Sequence, residues 1–489
     1  MKVSEHWLRS LTNPPLSLLG VADQLTHAGI EVDSLEWEAP SQKSENEQKE
    51  GVLTLKIPAN RGDCLSMEGI AREVSALNNL SYHTPIEPEI LPTLSDTPSI
   101  RVEAQDLCPR YVGCVVKNIN NTVATPAWLK NRLEMGGIRS VSAVVDILNY
   151  VMIEGGQPLH AFDLQKIDTE IVIRKSKKGE RITLLDTQEK IFEADALVIA
   201  DKKTVLAIAG VMGGLESAVN ENTTEILIES AYFDPIAIRK TAKQYNLRTD
   251  ASHRFERGID PGLQKRALNR VLHLLMEITG GLVSKVFEES EAKFLPKFPP
   301  ILLRKERISK ILGVTFPDTE VIEILARLGM KVEAKHLEFI VTPPSFRHDI
   351  RLEIDLIEEI ARIIGLMNLP SQMITTRIQS PTLGETEIPI ARFKEVLVDR
   401  GYVEAITYSF IDPKWALLFE PDHPLYPLSN PISVEMAVMR GSLFPGLLQA
   451  VEYNQRRQIL RTRFFEIGTC FLNEKQKSGK DVTPIEKQF

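Results

Sequence analysis

Blocks of apolar residues at helical or alternating spacing, set apart by glycines and polar runs, organise this chain. Leu18, Leu19, Val21, Ala22 and Leu25 share one side of a predicted helix within Leu16–Ala28, and Gly29 stops it. Ile30 to Asp33 and Gly51 to Ile57 alternate as strands do. Ser66 is placed to cap a helix whose apolar face is Met67, Ile70, Ala71, Val74 and Leu77. Strands are expected at Tyr111–Val116, Ile171–Ile173, Ala196–Ala200, Val205–Ala209 and Ile226–Ile228. Helices are expected near 126–135, 235–245 and 262–279. Val141 to Val151 is mostly apolar, and if the run is a buried strand the Asn149 amide near its end needs a partner. Further on, helix signals at 306–312, 318–328 and 352–364 surround a hairpin-like pair, 331–333 and 339–341. A helix at 390–400, a strand at 405–410, a helix near 443–453 and a strand at 463–472 follow.

Polar or proline-rich stretches divide these blocks. Residues 38–51 offer nothing to a core after Ala39, 82–98 hold four prolines, and Lys293–Pro300 form a third linker. The expected fold class is α+β multidomain. The expected domains are a split N-terminal α+β domain at 1–90, a domain at 98–292, a winged-helix-like domain at 298–372 and a further domain at 382–489. The 489 residues carry 58 Lys and Arg against 66 Asp and Glu, a net charge of −8. That balance excludes a polybasic binder but not a local basic face. The sequence contains no apolar run of membrane length, and four scattered cysteines without a CxxC fit a reducing, cytoplasmic setting.

Five constellations carry candidate chemistry. Asp349, Asp355, Glu358 and Glu359 gather carboxylates near one helix, a set that suits Mg²⁺; the alternative is a solvent-facing acidic first turn. Gln157-Pro158-Leu159-His160 presents a histidine after a Gly-Gly bend, and Asn149 lies just upstream. Gly210-Val211-Met212-Gly213-Gly214 lets a ligand approach backbone, although no Walker lysine follows. Glu229 ends a buried strand, where a carboxylate needs a partner or a ligand. Arg248 to Gly258 surrounds the small Ala251 with hydrogen-bonding groups. For the last four, a satisfied structural residue or a bare turn is the competing explanation.

Seven stretches, in order, resemble the family of bacterial phenylalanyl-tRNA synthetase β subunits. They are NRGDCLSMEGIAREVSALN, LCPRYVG, VVDILNYVMIEGGQPLHAFD, AIAGVMGG, ILIESAYFDPIAIRKTAKQYNLRTDASHRFERGIDP, FRHDIRLEIDLIEEIARIIGLMNLP and RTRFFEIGTCF. The resemblance implies an ATP-dependent α2β2 ligase joining phenylalanine to tRNA(Phe), with the aminoacylation site on the α subunit. It implies that 98–292 is an editing domain of B3/B4 type that hydrolyses mischarged Tyr-tRNA(Phe), and that 382–489 is a partial class II-like domain. The family's editing pocket falls on Asn149, Pro158, His160, Gly210, Gly213, Glu229, Thr249 and Ala251, and its Mg²⁺ positions on Asp349, Asp355, Glu358 and Glu359.

The sequence departs from the family pattern in several places. The polar stretch 38–51 stands where the oligonucleotide-fold domain is expected, and the family continues beyond a point like 489. Leu148 replaces a common threonine, and Arg463-x-x-Glu466 lacks the spacing of an active ATP motif. Two rival functions are a non-enzymatic nucleic-acid module and a Mg²⁺-dependent hydrolase.

Overall fold

The computed structural model describes all residues except 39–48, 86–87, 96–98, 169, 372, 374–375, 380–387, 422–424, 473–484 and 489. Most of the 38–51 stretch, part of the 82–98 linker and most of the C-terminal tail therefore lie outside the described residues. The fold is mixed α+β and divides into two units, Met1–Met373 and Ile374–Phe489.

The first unit opens with an antiparallel sheet in which Glu50–Lys56 lies between Lys2–Ser4 and Glu31–Glu38. Glu38 stands opposite Glu50. The helices Leu18–His27 and Met67–Asn78 cover the sheet, and Ser66 caps the second by accepting from the Gly69 N–H.

Two larger sheets follow. One runs Met212–Gly213, Val205–Ile208, Leu197–Ala200, Ile171–Lys175, Ile100–Val102. The other runs Leu282–Val283, Arg110–Lys117, Glu225–Tyr232, Leu159–Asp163, with Phe287–Ser290 also on Arg110–Lys117. Side chains of a strand alternate between its two faces. On one face, Val112, Cys114, Val116, Ala161, Ile226 and Ile228 join a core shared with helices Ala143–Gly155 and Gln264–Ile278. On the other, Tyr111, Val115, Phe162, Leu227 and Ala231 join a core shared with the first of these two sheets. Glu229 and His160 fall by parity on this second face, between the sheets.

The apolar run 141–151 is resolved as a helix, Ala143–Gly155. It is buried nearly all round, which erases the one-sided periodicity of a surface helix. Asp146 supports its start by accepting from Thr125 Oγ1, Ser140 Oγ and the Val141 N–H, and Gly156, at φ +89°, ends it.

Residues 301–366 form a small three-stranded sheet, Ile301–Arg304, Glu338–Thr342, Lys331–Ala334, under helices Lys305–Leu312, Asp318–Arg327 and Glu353–Ile364. The strand Ile301–Arg304 was not expected from the pattern. This module joins residues 60–73 through a buried ion network. Arg61 pairs with Asp63 and Glu73, Arg362 with Glu73 and Glu359, and Arg347 with Asp349 and Glu359.

In the second unit, the helices are Ile390–Asp399, Pro413–Phe419 and Phe444–Gln455. The expected strands 405–410 and 463–472 survive only as short pieces. Val403–Glu404 pairs with Phe464–Phe465, Phe410–Ile411 pairs with Val438–Met439, and Thr469–Leu472 pairs with Ile485–Gln488. Between these pieces Glu466 accepts the Thr407 N–H and pairs with Arg440 at 2.7 Å. Arg463 is exposed and donates to the Arg400 carbonyl. No helix among the described residues is long and apolar enough to cross a membrane.

Replacing Arg347 by Met leaves the buried Glu359 with one cation fewer. Breaking a buried pair typically costs about 3–5 kcal/mol. Urea unfolding followed by tryptophan fluorescence is expected to show a clearly lowered midpoint; an unchanged midpoint would remove the network from the account of stability.

Candidate functional site

Between the two larger sheets lies a cavity of about 450 Å³, within the range that holds a small organic ligand. Asn149, Pro158, His160, Gly210, Gly213, Glu229, Thr249 and Ala251 all line it. Leu159–Asp163 pairs with Glu225–Tyr232 so that His160 is directly opposite Glu229. Cross-strand partners share a face with Cβ atoms about 5 Å apart. The strand at 159–163 was read from the sequence only as a bend, because Pro158 and the preceding glycines mask its start.

Glu229 is buried, and among the described residues its carboxyl takes a single hydrogen bond, from Tyr111 Oη to Oε2 at 3.3 Å. Burial pushes its carboxyl up to about 8, against the opposing pull of the Tyr111 hydroxyl. His160 packs edge-on against Phe162, with centroids 4.6 Å apart. Burial lowers its imidazole to about 4, and its Nε2 is shielded from solvent without a hydrogen-bond partner. Near neutral pH the two side chains are therefore a neutral imidazole and a largely neutral carboxylic acid. The unpaired Nε2 is a standing cost that a ligand donor or acceptor would relieve.

The glycines shape the wall. A Cβ at Gly213 would sit 2.5 Å from His160 Cε1 and 2.7 Å from Nε2, so that edge of the ring lies against bare backbone. Gly210 has φ +65°, and a Cβ there would meet Phe233 and Ile238 at 2.9 Å. Thr249 caps the turn Asp250–Phe255 by accepting from the Ser252 N–H, and it donates to the Val211 carbonyl at 2.7 Å. That bond ties the glycine loop to the turn and places Ala251 at the cavity. Asn149, partly exposed, makes no side-chain hydrogen bond among the described residues and lies on the cavity-facing side of its helix. Leu148, one residue earlier, is buried in the opposite core and does not line the cavity.

Among the described residues, the four carboxylates expected to hold Mg²⁺ do not form a converging set within this chain. Asp349 and Glu359 are both taken by Arg347, Glu359 also by Arg362. Burial works to raise the Glu359 carboxyl, and these guanidinium bonds overcome it and hold it well below the usual range. Asp355 accepts the Arg351 and Leu352 N–H groups at the helix start, and Glu358 is exposed. The overlooked signal was the pairing of each buried acid with a nearby arginine, Arg347-x-Asp349 and Glu359-x-x-Arg362. Asp63, Cys64 and Glu73 form a second acidic cluster, but Arg61 Nη2 contacts all three and stands where a cation would.

Four family models match in chain order. They are the Phe-tRNA synthetase beta subunit B1 domain over residues 3–79, the B3/4 domain over 107–280, the tRNA synthetase B5 domain over 301–366 and the phenylalanyl tRNA synthetase beta chain CLM domain over 369–488. Similar proteins include the phenylalanine–tRNA ligase beta subunits of Photorhabdus laumondii and Vibrio cholerae. These are 45% identical over 421 residues and 46% over 420, each match covering 86% of this chain and 53% of the relative. That of Pseudoalteromonas translucida is 43% identical over 437 residues, covering 89% and 55%. The chain thus spans about half the length of the curated relatives it matches. Among solved structures, an N-terminal fragment of the phenylalanyl-tRNA synthetase β subunit from Pyrococcus horikoshii is 18% identical. It covers 74% of this chain and 99% of the fragment, with a TM-score of 0.41. The chain belongs to the phenylalanyl-tRNA synthetase β-subunit family.

Glu229 gives the site a pH signature. Its folded carboxyl lies above its ordinary 4.5, so the folded state keeps the proton longer than the unfolded chain. Its contribution is complete below about 4.5 and is lost as pH rises through about 8. Glu229→Gln is expected to flatten stability over that window, measured by denaturation midpoints at stepped pH; an unaltered slope would contradict a buried neutral acid.

Proposed function

We propose that this chain serves as the β subunit of a phenylalanine–tRNA ligase. In this reading an α subunit completes an α2β2 enzyme that attaches phenylalanine to tRNA(Phe) at the expense of ATP. The aminoacylation chemistry belongs to the α subunit. The cavity at His160 and Glu229 hydrolyses tyrosine wrongly attached to that tRNA.

The observation that carries the reading is the face-to-face placement of Glu229 and His160 on one side of a largely apolar cavity. A pocket selected for phenylalanine cannot strongly reject an analogue that only adds a hydroxyl. A second pocket that hydrogen-bonds the hydroxyl can reject phenylalanine, because its buried polar group would then lack a partner. Glu229 is that group here. Being largely protonated, it can donate to the phenol oxygen, and its other lone pairs can accept the phenol proton.

The remaining residues position the ester. His160 Nε2 and the Asn149 amide are free to bond the ester or the terminal ribose. Gly210 and Gly213 let that end approach the wall, and Ala251 limits the space. Hydrolysis adds water to the ester carbonyl, breaks the acyl–oxygen bond and returns the proton to the ribose oxygen. His160 stays largely neutral at working pH. Positioning of water by the bound ester and backbone is the proposed source of rate, in place of a charged base.

The carboxylate set near Asp355 does not fit a cation within this chain, and no step above runs through a metal. Asp355 and Glu358, which lack arginine partners, are the oxygens left for Mg²⁺ should the α subunit supply further donors.

The test uses the chain assembled with its α subunit and Tyr-tRNA(Phe) as substrate. Glu229→Ala is expected to reduce deacylation at least about tenfold and to erase discrimination between the tyrosyl and phenylalanyl esters. Glu229→Gln, which mimics the neutral acid, should keep more activity than Ala. Full rate and selectivity in the Ala variant would end the proposal. Gly213→Ala should also abolish deacylation, since its methyl collides with the His160 ring; a chain with normal activity would show that the ring need not hold its place.

A further inference from the structure

We infer that Tyr111 is a positioning residue for this cavity, holding the Glu229 carboxyl so that Oε1 alone is offered to a substrate hydroxyl. The inference rests on the proofreading role proposed above. Tyr111 does not line the cavity; it stands behind Glu229, fully buried in the core between the sheets. Its Oη donates to Glu229 Oε2 at 3.3 Å, and the Glu229 carboxyl has no other hydrogen-bond partner among the described residues.

Strand register explains how the ring reaches the acid. On Arg110–Lys117, the residue directly opposite Glu229 is Gly113, and Tyr111 lies two positions along on the same face. A Cβ built at 113 would collide with Ile100 Cδ1 at 2.8 Å and touch Tyr111 Cε1 at 3.5 Å, so Ile100 packs into the space that glycine leaves and the Tyr111 ring borders it. Tyr111 therefore reaches the acid past a position without a side chain.

The chemical consequence is an ordered carboxyl. With Tyr111 donating to Oε2, that oxygen serves as acceptor and the acid proton belongs on Oε1. Oε1–H then faces a phenol oxygen that can accept it. Without the Tyr111 hydroxyl, the carboxyl can rotate and offer either oxygen. Recognition of the substrate hydroxyl weakens while the ester remains placed by other residues.

The experiment uses the assembled enzyme with Tyr111→Phe, Glu229→Ala and the double variant. Two readouts are taken: deacylation of Tyr-tRNA(Phe), and affinity for 3′-tyrosylamino- and 3′-phenylalanylamino-adenosine. In Tyr111→Phe, KM for the tyrosyl substrate should rise about tenfold, the worth of one buried hydrogen bond, with kcat within about twofold. The ratio of the two analogue affinities should fall by a similar factor, and it is unaffected by any fraction of unfolded protein. Adding Tyr111→Phe to Glu229→Ala should cause no further loss, because the hydroxyl acts only through the acid. A Tyr111→Phe enzyme with unchanged affinity ratio, or losses that multiply in the double variant, would overturn the inference. If Glu229→Ala itself leaves the ratio unchanged, the proofreading reading fails first and the role of Tyr111 in it falls too.

Discussion

The antiparallel pairing of Leu159–Asp163 with Glu225–Tyr232 is the constraint on which the site depends. It sets His160 beside Glu229 and sends both toward the facing sheet. A shift of Leu159–Asp163 by one residue would turn His160 into the opposite core, among Ile147, Leu268 and Val271, and part it from Glu229, which stays held by Arg110–Lys117. Such a slip is resisted from both sides, because Ala161, Ile226 and Ile228 fill one face while Phe162 and Leu227 fill the other. The polar pair thus inherits its geometry from apolar neighbours with no contact to any ligand.

Keeping two titratable groups in a dry space is tolerable only if neither is charged. Here the two shifts run in opposite directions for the same reason, since burial disfavours carboxylate and imidazolium alike. The outcome is a polar, uncharged patch at the inner wall, which suits an aromatic ring carrying one hydroxyl, while the carboxylates of Asp186 and Asp250 stand at the exposed margin of the same pocket.

Much of this was legible in the sequence. The helices at 18–27, 67–78, 235–244 and 264–278 follow from apolar spacing and from stops at Gly29 and Gly280. The eight cavity residues followed from family resemblance, and no local pattern would have grouped Asn149 with Thr249 across a hundred positions. Three things stayed hidden for physical reasons. The 143–155 helix is buried on all sides, so it shows no polar face to count. Asp349 and Glu359 look like cation ligands until Arg347 and Arg362 are seen folding onto them. Tyr111 reads as one more apolar strand residue, because its function depends on a glycine two positions away meeting a glutamate from a different strand.

The network joining residues 61–73 to 347–362 has equal numbers of guanidinium and carboxylate groups once Arg72 is counted with Asp63. Its Arg347, Glu73 and Glu359 are almost wholly withdrawn from water. Dissolved ions screen exposed charges over about 10 Å at 0.1 M, but buried pairs far less. Ionic strength therefore separates two kinds of adhesion in this molecule. Raising it would weaken exposed pairs such as Lys56–Asp33 while the seam between residues 61–73 and the 301–366 module stays shut.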